Sequence, residues 1–223
     1  MNPILNALNL TNSALPAQVA GPVAGCLFSY ANPRAFWQKW RYQPALWICG
    51  GRAAGKTFLL RQLIAPAFGL DESTAILPQA APDRIRAALI AATPTAPAIL
   101  DAFDYSGRRT TSTPILLSMA AEMLSIRRYD DGGDDKDHVP LQCAPILATE
   151  MQPPGSYHCF TRAFLSTPIR LSTSRIAEIA TALREALEAL RQRHGEYGQV
   201  VEQSERATAP HRAAIEAAVA IFQ

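Results

Sequence analysis

The sequence predicts an α/β fold in three layers, α/β/α, with a mostly parallel central sheet and a helical C-terminal segment. Short, continuous apolar runs alternate with stretches of helical periodicity, as they do in sheets that are buried on both faces. A glycine-rich turn joins the first of these runs, at 45–49, to the stretch that follows it. Two amphipathic stretches, at 175–194 and 210–222, come after the last run.

The composition fits one such domain with small additions. The chain has 223 residues, 48% of them hydrophobic, which is enough to bury a sizeable core. The net charge of +2 neither requires nor excludes nucleic acid, because a local basic patch can lie within a near-neutral total. No apolar run reaches the roughly 18 residues that span a bilayer, and the N-terminus lacks the basic start of a secretory signal. We therefore expect a cytoplasmic protein with no membrane partner.

The cysteines are far apart in the sequence and form no CxxC pair. Cysteines with this spacing in a chain without a secretory signal are typical of reduced thiols rather than disulfides or zinc ligands. We expect all of them to be buried and unpaired. They are Cys26, Cys49, Cys143 and Cys159.

The first 40 residues are predicted to be an arm that is flexible or loosely docked, because Asn, Pro and Ser recur in the first twenty. Within this part, 25–30 is a candidate short strand. A helix is predicted at 33–42, with Phe36, Trp37 and Trp40 on one side. These aromatic side chains and their basic neighbours could stack on nucleic-acid bases. Packing against the core is the favoured interpretation.

The remaining elements alternate as a parallel sheet requires. The predicted strands are 45–49, 98–100, 141–149 and 163–171. The predicted helices are 56–64, 83–92 and 114–128. An acidic stretch at 129–138 lacks the spacing of an EF-hand, so we interpret it as a solvated loop. The predicted units are an arm (1–40), a core (41–173) and a C-terminal helical segment (174–223).

The segment 50–57 fits the pattern G-x-x-x-x-G-K-[ST] in full. Glycines let backbone N–H groups turn toward phosphate oxygens, and the positive end of the following helix dipole points at the same charge. Lys56 is predicted to reach the β- and γ-phosphates of ATP, and the hydroxyl of Thr57 to bind Mg²⁺. A chance match is about one in a hundred at average composition. The predicted nucleotide contacts are Gly50, Gly51, Arg52, Ala53, Ala54, Gly55, Lys56, Thr57 and Phe58.

This motif makes the predicted fold that of a P-loop NTPase, and a turn without a ligand is the alternative. A lysine in an empty glycine loop is expected to face solvent. We therefore expect Lys56→Ala to lose nucleotide affinity with little loss of fold.

A P-loop enzyme needs an acid at the end of a neighbouring strand to hold Mg²⁺. Asp101, directly after the apolar run 98–100, is the candidate. Many P-loop ATPases place a glutamate next, but this chain has Ala102 there. Asp104 or Glu150 could orient the attacking water instead. Slow turnover, or binding without turnover, is therefore an open alternative.

Positive charge must also meet the charge that develops on the γ-phosphate, and oligomeric ATPases often take an arginine from the neighbouring subunit. Arg162 is our first choice for this role, which implies a homo-oligomer. Its alternatives are Arg108, Arg109 and Arg170.

The order of these segments resembles the ATPase domain of phage and prophage primase-helicase proteins. The glycine loop is followed by EST at 72–74, by DRIRAAL at 83–89 and by AILDAFD at 98–104. In that family an "EST…GIRQ" segment and a strand ending in a "DEFE"-like acidic box occupy these places. TEMQ at 149–152 and TRAFLSTPIRL at 161–171 stand where the family has an apolar strand and an arginine-bearing element.

The resemblance covers roughly 45–173, and only the glycine loop in it is specific. It implies that Lys56 and Thr57 serve phosphate and magnesium, that Asp101 is the strand-end acid, and that Arg162 is the later arginine. The family's catalytic glutamate falls on Ala102 and is missing, while Asp104 matches the second acid of the box.

Three functions remain open at this stage. The first is an oligomeric ATPase that acts on single-stranded or double-stranded DNA. The second is an NTP-binding regulatory or assembly module with little hydrolysis, which Ala102 favours. The third is a small-molecule kinase, which lacks support because no arginine-rich lid lies between two helices.

Overall fold

The computed structural model describes residues 2–71, 75–78, 81–101, 120–122, 125–127, 138–150, 159–205 and 208–223. The helices are α1 (Pro3–Ala14), α2 (Ala17–Ser29), α3 (Pro33–Trp40), α4 (Lys56–Leu59), α5 (Pro82–Ala91), α6 (Thr173–Gln192), α7 (His194–Gln203) and α8 (Pro210–Ala220). The strands are β1 (Ala45–Gly50), β2 (Ile76–Pro78), β3 (Ile99–Asp101), β4 (Ser125–Arg127), β5 (His138–Pro140), β6 (Ile146–Thr149) and β7 (Phe160–Leu165).

Five strands form one parallel sheet in the order β2-β3-β6-β1-β7. Every residue of β1, β3 and β6 is buried, which is why these strands have continuous apolar sequences rather than alternating ones. The strand β6 follows β3 in the chain yet lies between β1 and β3 in the sheet. The predicted α/β class with a mostly parallel sheet is confirmed. A separate antiparallel pair joins β4 and β5.

The strands predicted after residue 40 agree with the structure in kind, with different bounds. β6 takes up only the last part of 141–149, and β7 begins earlier than 163 and ends at Leu165. The helices predicted at 83–92, 175–194 and 210–222 are confirmed as α5, α6 and α8. The helix predicted at 114–128 is wrong at Ser125–Arg127, which is β4. The acidic loop lies outside the described residues, apart from His138.

The N-terminal region is not a loose arm, and that prediction was wrong. α1 buries one side, α2 is buried at every residue from Val23 to Ser29, and α2 contacts β7, α6 and α8. The strand predicted at 25–30 is instead the second half of α2, because a short apolar run does not by itself distinguish a strand from a buried helix. Gly25 lets α2 and α8 approach closely, since a Cβ there would lie 2.1 Å from the carbonyl oxygen of His211.

The predicted helix at 56–64 exists but does not stop before Pro66. After α4 the chain makes a π-helical turn at Leu60–Ile64 and continues as an α-helix over Ala65–Ala67. The amide of Ala65 donates to the carbonyl of Leu60, five residues back. A proline cannot fit the regular ladder, and a wider turn before it relieves the clash with the preceding carbonyls.

Two of the three aromatic side chains of α3 pack as predicted. Phe36 is fully buried, and Trp40 stacks on it with ring centroids 5.7 Å apart, so these two rings belong to the core. Trp37 is half-buried, and the guanidinium of Arg41 lies 4.9 Å from the centroid of its ring. All four cysteines are buried and free. Within the ranges given above, no helix is long and apolar enough to cross a membrane.

Candidate nucleotide site

The glycine loop begins at the carboxyl end of β1, a strand inside the sheet, and ends at the first residue of α4. The amide of Ala54 donates to the carbonyl of Gly51 at 3.2 Å, which closes the turn. Gly55 has φ +94°, a left-handed conformation that glycine adopts without strain. Local sequence therefore sets the path that the G-x-x-x-x-G-K-[ST] pattern predicts.

Gly50 has to be glycine because β7 runs against it. A Cβ at this position would lie 2.6 Å from the carbonyl oxygen of Leu165 and 2.9 Å from the Cβ of that residue. Both obstacles belong to a paired strand, which cannot move aside as a flexible side-chain end can. The first glycine of the motif thus fixes how closely the loop approaches the edge strand.

The start of α4 has no side-chain cap among the described residues. Its first internal bond runs from the amide of Leu59 to the carbonyl of Gly55. The amides of Lys56, Thr57 and Phe58 therefore have no partner further back in the helix. Unpaired amides at the positive end of a helix dipole are the standard protein arrangement for a phosphate group.

Ala53 lies within the same loop with φ +62°, which is unusual for a residue that has a Cβ. The left-handed conformation costs an alanine roughly 1–2 kcal/mol. Strain of this kind at a ligand loop persists only where the surrounding structure holds it.

Replacing Ala53 with glycine should therefore stabilise the protein. We expect a gain of about 1 kcal/mol, smaller than the strain itself because glycine also gains entropy in the unfolded chain. This corresponds to a rise in Tm of about 2–4 °C for a chain of this size, measured by thermal unfolding. The matched control is Ala87→Gly on the exposed side of α5, which should lower Tm. A loss of stability in Ala53→Gly would contradict the left-handed assignment.

Lys56 is not solvent-facing, and that expectation was wrong. Only 9% of the residue is exposed, and Nζ donates to the carbonyl oxygens of Gly50 at 2.9 Å and Gly51 at 2.7 Å. These two backbone carbonyls satisfy the ammonium group within the loop. A phosphate would offer it a negatively charged acceptor, which adds Coulombic attraction to the hydrogen bond.

The carboxyl edge of the sheet brings the strand-end acid to the same side as the loop. Asp101 ends β3 and is 6% exposed. Because β6 lies between β1 and β3, two strand spacings, about 10 Å, separate Asp101 from the loop strand.

Thr149 ends the intervening strand β6 and was not among the predicted site residues. It is 1% exposed, and its hydroxyl accepts a hydrogen bond from the indole of Trp47 at 2.9 Å. Its signal in the sequence is weak: one polar residue at the end of an apolar run. Strand order alone places it between the loop and Asp101.

The remaining residues predicted for catalysis do not all lie near the glycine loop. Glu150 is exposed and directly follows Thr149, at the same edge of the sheet. Arg162 is exposed in the edge strand β7, where it pairs with Trp47 rather than with the loop. Three positions separate it from Leu165, the partner of Gly50, so Arg162 lies about 10 Å behind the loop. Ala102, Asp104, Arg108 and Arg109 lie outside the described residues.

Cys49, the residue before the loop, has a thiol whose pKa is raised. Burial raises the pKa of its thiol, and the charges of Arg162 and Lys56 lower it by less. The thiol is thus neutral near pH 7, and a nucleophilic role at the loop is not supported.

A parallel sheet whose inner strand turns through this glycine loop into a helix, with a buried acid at the same edge, defines a P-loop NTPase fold. The fold resembles that of an SCCmec type IV Cch protein described as an active helicase, with a TM-score of 0.52 and 12% identity. The match covers 97% of this chain and 46% of that one, so this chain spans about half the length of that helicase. The fold is helicase-like in this sense.

A second solved structure, a JCV helicase with a bound thiazolopyridine compound, matches at a TM-score of 0.37 and 11% identity, over 90% of this chain and 71% of that one. No protein-family model and no curated protein matches the sequence.

Proposed function

We propose that this protein is an ATP-binding P-loop ATPase that acts with nucleic acid as a helicase-like motor domain. The observation that supports it most is the loop itself, in which the start of α4 has no side-chain cap and the ammonium of Lys56 lies against the carbonyls of Gly50 and Gly51. The backbone from 50 to 58 would hold the phosphates.

Mg²⁺ is the cation that this arrangement suits. Within the described ranges there is no cluster of three His, Cys, Asp or Glu side chains that could hold a metal by itself. Thr57 and Asp101 supply a hydroxyl and a carboxylate, oxygen ligands of the kind that Mg²⁺ takes alongside phosphates. When bound, Mg²⁺ would neutralise phosphate charge and fix the orientation of the nucleotide's phosphate chain. Thr57 is exposed at the second position of α4, where a ligand can reach it.

DNA and a second copy of the chain are the proposed partners. The fold likeness to a helicase and the exposed Arg162 on the edge strand support both. In an oligomer, Arg162 would enter the neighbour's site, since it lies too far behind its own loop. Glu150, or Asp104 beyond the described residues, would orient the attacking water.

Turnover of ATP, measured with and without single-stranded DNA, tests this function. We expect hydrolysis that DNA stimulates and that requires Mg²⁺. Phosphate transfer to a metabolite would instead indicate a kinase. Absence of ATP uptake in calorimetry, with Mg²⁺ present, would overturn the proposal as a whole.

The second candidate is an NTP-binding regulatory or assembly module with little hydrolysis, which Ala102 favours because it replaces the expected glutamate. Tight ATP binding without turnover would support it. The variant Ala102→Glu separates the two. It should raise turnover if only the water-orienting acid is missing, and leave it unchanged if Asp104 or Glu150 already has that role.

A further inference from the structure

The two sides of α3 have different surroundings. Phe36 and Trp40 pack into the core, and Nζ of Lys39 donates to carbonyl oxygens at the end of α7. Trp37 is two positions from Lys39, about 200° around the helix, so it lies on the side that faces away from α7. Its ring is only half-buried there.

Two arginines flank Trp37 on this side. Arg34 lies three positions before it and Arg41 four positions after it, the spacings at which side chains of a helix are neighbours. The guanidinium of Arg41 lies 4.9 Å from the centroid of the indole ring. The amide of Arg41 also donates to the carbonyl of Trp37 at 2.8 Å, which fixes the backbone at the end of α3. Two basic residues therefore border one partly open aromatic ring.

The positive charge of these arginines is not neutralised by nearby acids in the sequence. The first 70 residues contain six Lys or Arg and no Asp or Glu. Within the ranges that the structure describes, the ion pairs involve Arg175 and Arg193 rather than Arg34 or Arg41. Both Arg34 and Arg41 are exposed, so an anion from outside can reach them. A partner that fits this surface combines negative charge with flat rings.

We propose that the side of α3 formed by Arg34, Trp37 and Arg41 binds single-stranded nucleic acid. Trp37 stacks on a base, and the two guanidiniums bind neighbouring phosphates. Stacking on aromatic side chains beside basic ones is how proteins bind single strands without sequence preference. A duplex does not expose the faces of its bases in this way. This surface rests on the proposed function, for which it supplies the contact with nucleic acid.

Fluorescence anisotropy with a labelled oligothymidine, without nucleotide, tests the stacking contact. We expect Trp37→Ala to bind the oligomer about tenfold more weakly, and Trp37→Phe, which keeps a ring, to lose no more than about threefold. Indole fluorescence should change on binding in the wild type but not in Trp37→Phe, because Trp40 and Trp47 pack in the core. ATP affinity should stay unchanged in both variants, since α3 precedes β1 and the glycine loop follows it.

The salt dependence of the same titration tests the phosphate contacts. Arg34→Gln and Arg41→Gln should each weaken binding and reduce the slope of log affinity against log salt concentration by about 0.7, the value for one phosphate of a single strand. Trp37→Ala should keep the wild-type slope. Both arginines are exposed, so these variants test the surface even if Trp37→Ala does not fold. The matched control is Arg184→Gln, an exposed position on α6 near Gly69, which should change neither affinity nor slope.

Each part of the proposal has an outcome that would overturn it. Wild-type affinity in Trp37→Ala would rule out the stacking contact, and wild-type slopes in both arginine variants would rule out the phosphate contacts. Tighter binding of a duplex than of the single strand would rule out single strands as the preferred partner. A wild type that binds Mg-ATP but no oligothymidine would overturn this surface and leave the nucleotide site intact. A wild type that binds neither would remove the proposed function itself.

Discussion

Lys56→Ala should weaken ATP binding about a hundredfold, which is about 2.8 kcal/mol. The ammonium group is held over the loop by the carbonyls of Gly50 and Gly51, so it needs little ordering when a phosphate arrives. A charged hydrogen bond to phosphate contributes roughly 1.5–3 kcal/mol, and the variant loses it completely. Calorimetric titration with Mg-ATP measures the change.

The empty Lys56→Ala protein should also lose about 1 kcal/mol of stability. The carbonyls of Gly50 and Gly51 no longer accept hydrogen bonds from Nζ of Lys56. The sequence alone did not predict these hydrogen bonds. Lys39→Ala is the matched control, because Nζ of Lys39 likewise donates to two backbone carbonyls, those of Glu202 and Ser204, between α3 and the end of α7. It should lose similar stability and keep its ATP affinity. Unchanged ATP affinity in Lys56→Ala would rule out the phosphate site.

Asp101→Asn should reduce Mg²⁺-dependent turnover about a hundredfold to a thousandfold, the range seen when one preorganised electrostatic contact is removed. The amide keeps the shape of the carboxylate in a position that is 6% exposed but loses the charge that would hold the cation. The fold should therefore persist. Turnover is measured as phosphate release at saturating ATP.

A second measurement, of ATP affinity, tests the role of Asp101 even if the wild type hydrolyses ATP slowly. The wild type should bind ATP more tightly with Mg²⁺ than with a chelator, and Asp101→Asn should lose that difference. Asp83→Asn in the first turn of α5 is an exposed control of equal charge change, and it should behave as the wild type. An Asp101→Asn protein with full turnover would mean that another acid holds the cation.

The loop was predictable because everything that forms it is local. A buried strand at 45–50, glycines at positions that need close approach or positive φ, and a helix beginning at Lys56 follow each other within twenty residues. The motif requires each of these residue types for a separate physical reason, and the sequence has every one of them in the required place. The long helix α6 was equally clear from its periodicity, which repeats over five turns.

The N-terminal helices and the burial of Lys56 were not predictable in this way. α2 is stable as a helix because it packs against β7 and α8, and those partners are absent from its own sequence window. The lysine is buried because two carbonyls of the loop happen to face it, which depends on the backbone path and not on residue type.

By itself the sequence determined the α/β class, the glycine loop and the presence of an acid at a strand end, since periodicity, glycine placement and apolar runs act over short stretches of chain. Only the tertiary structure decided that β6 lies between the loop strand and Asp101, that Thr149 and Glu150 share that edge, and that Arg162 lies behind the loop on the edge strand. Strand order and contacts between distant segments follow from which surfaces bury each other, and that choice is made by the whole core at once.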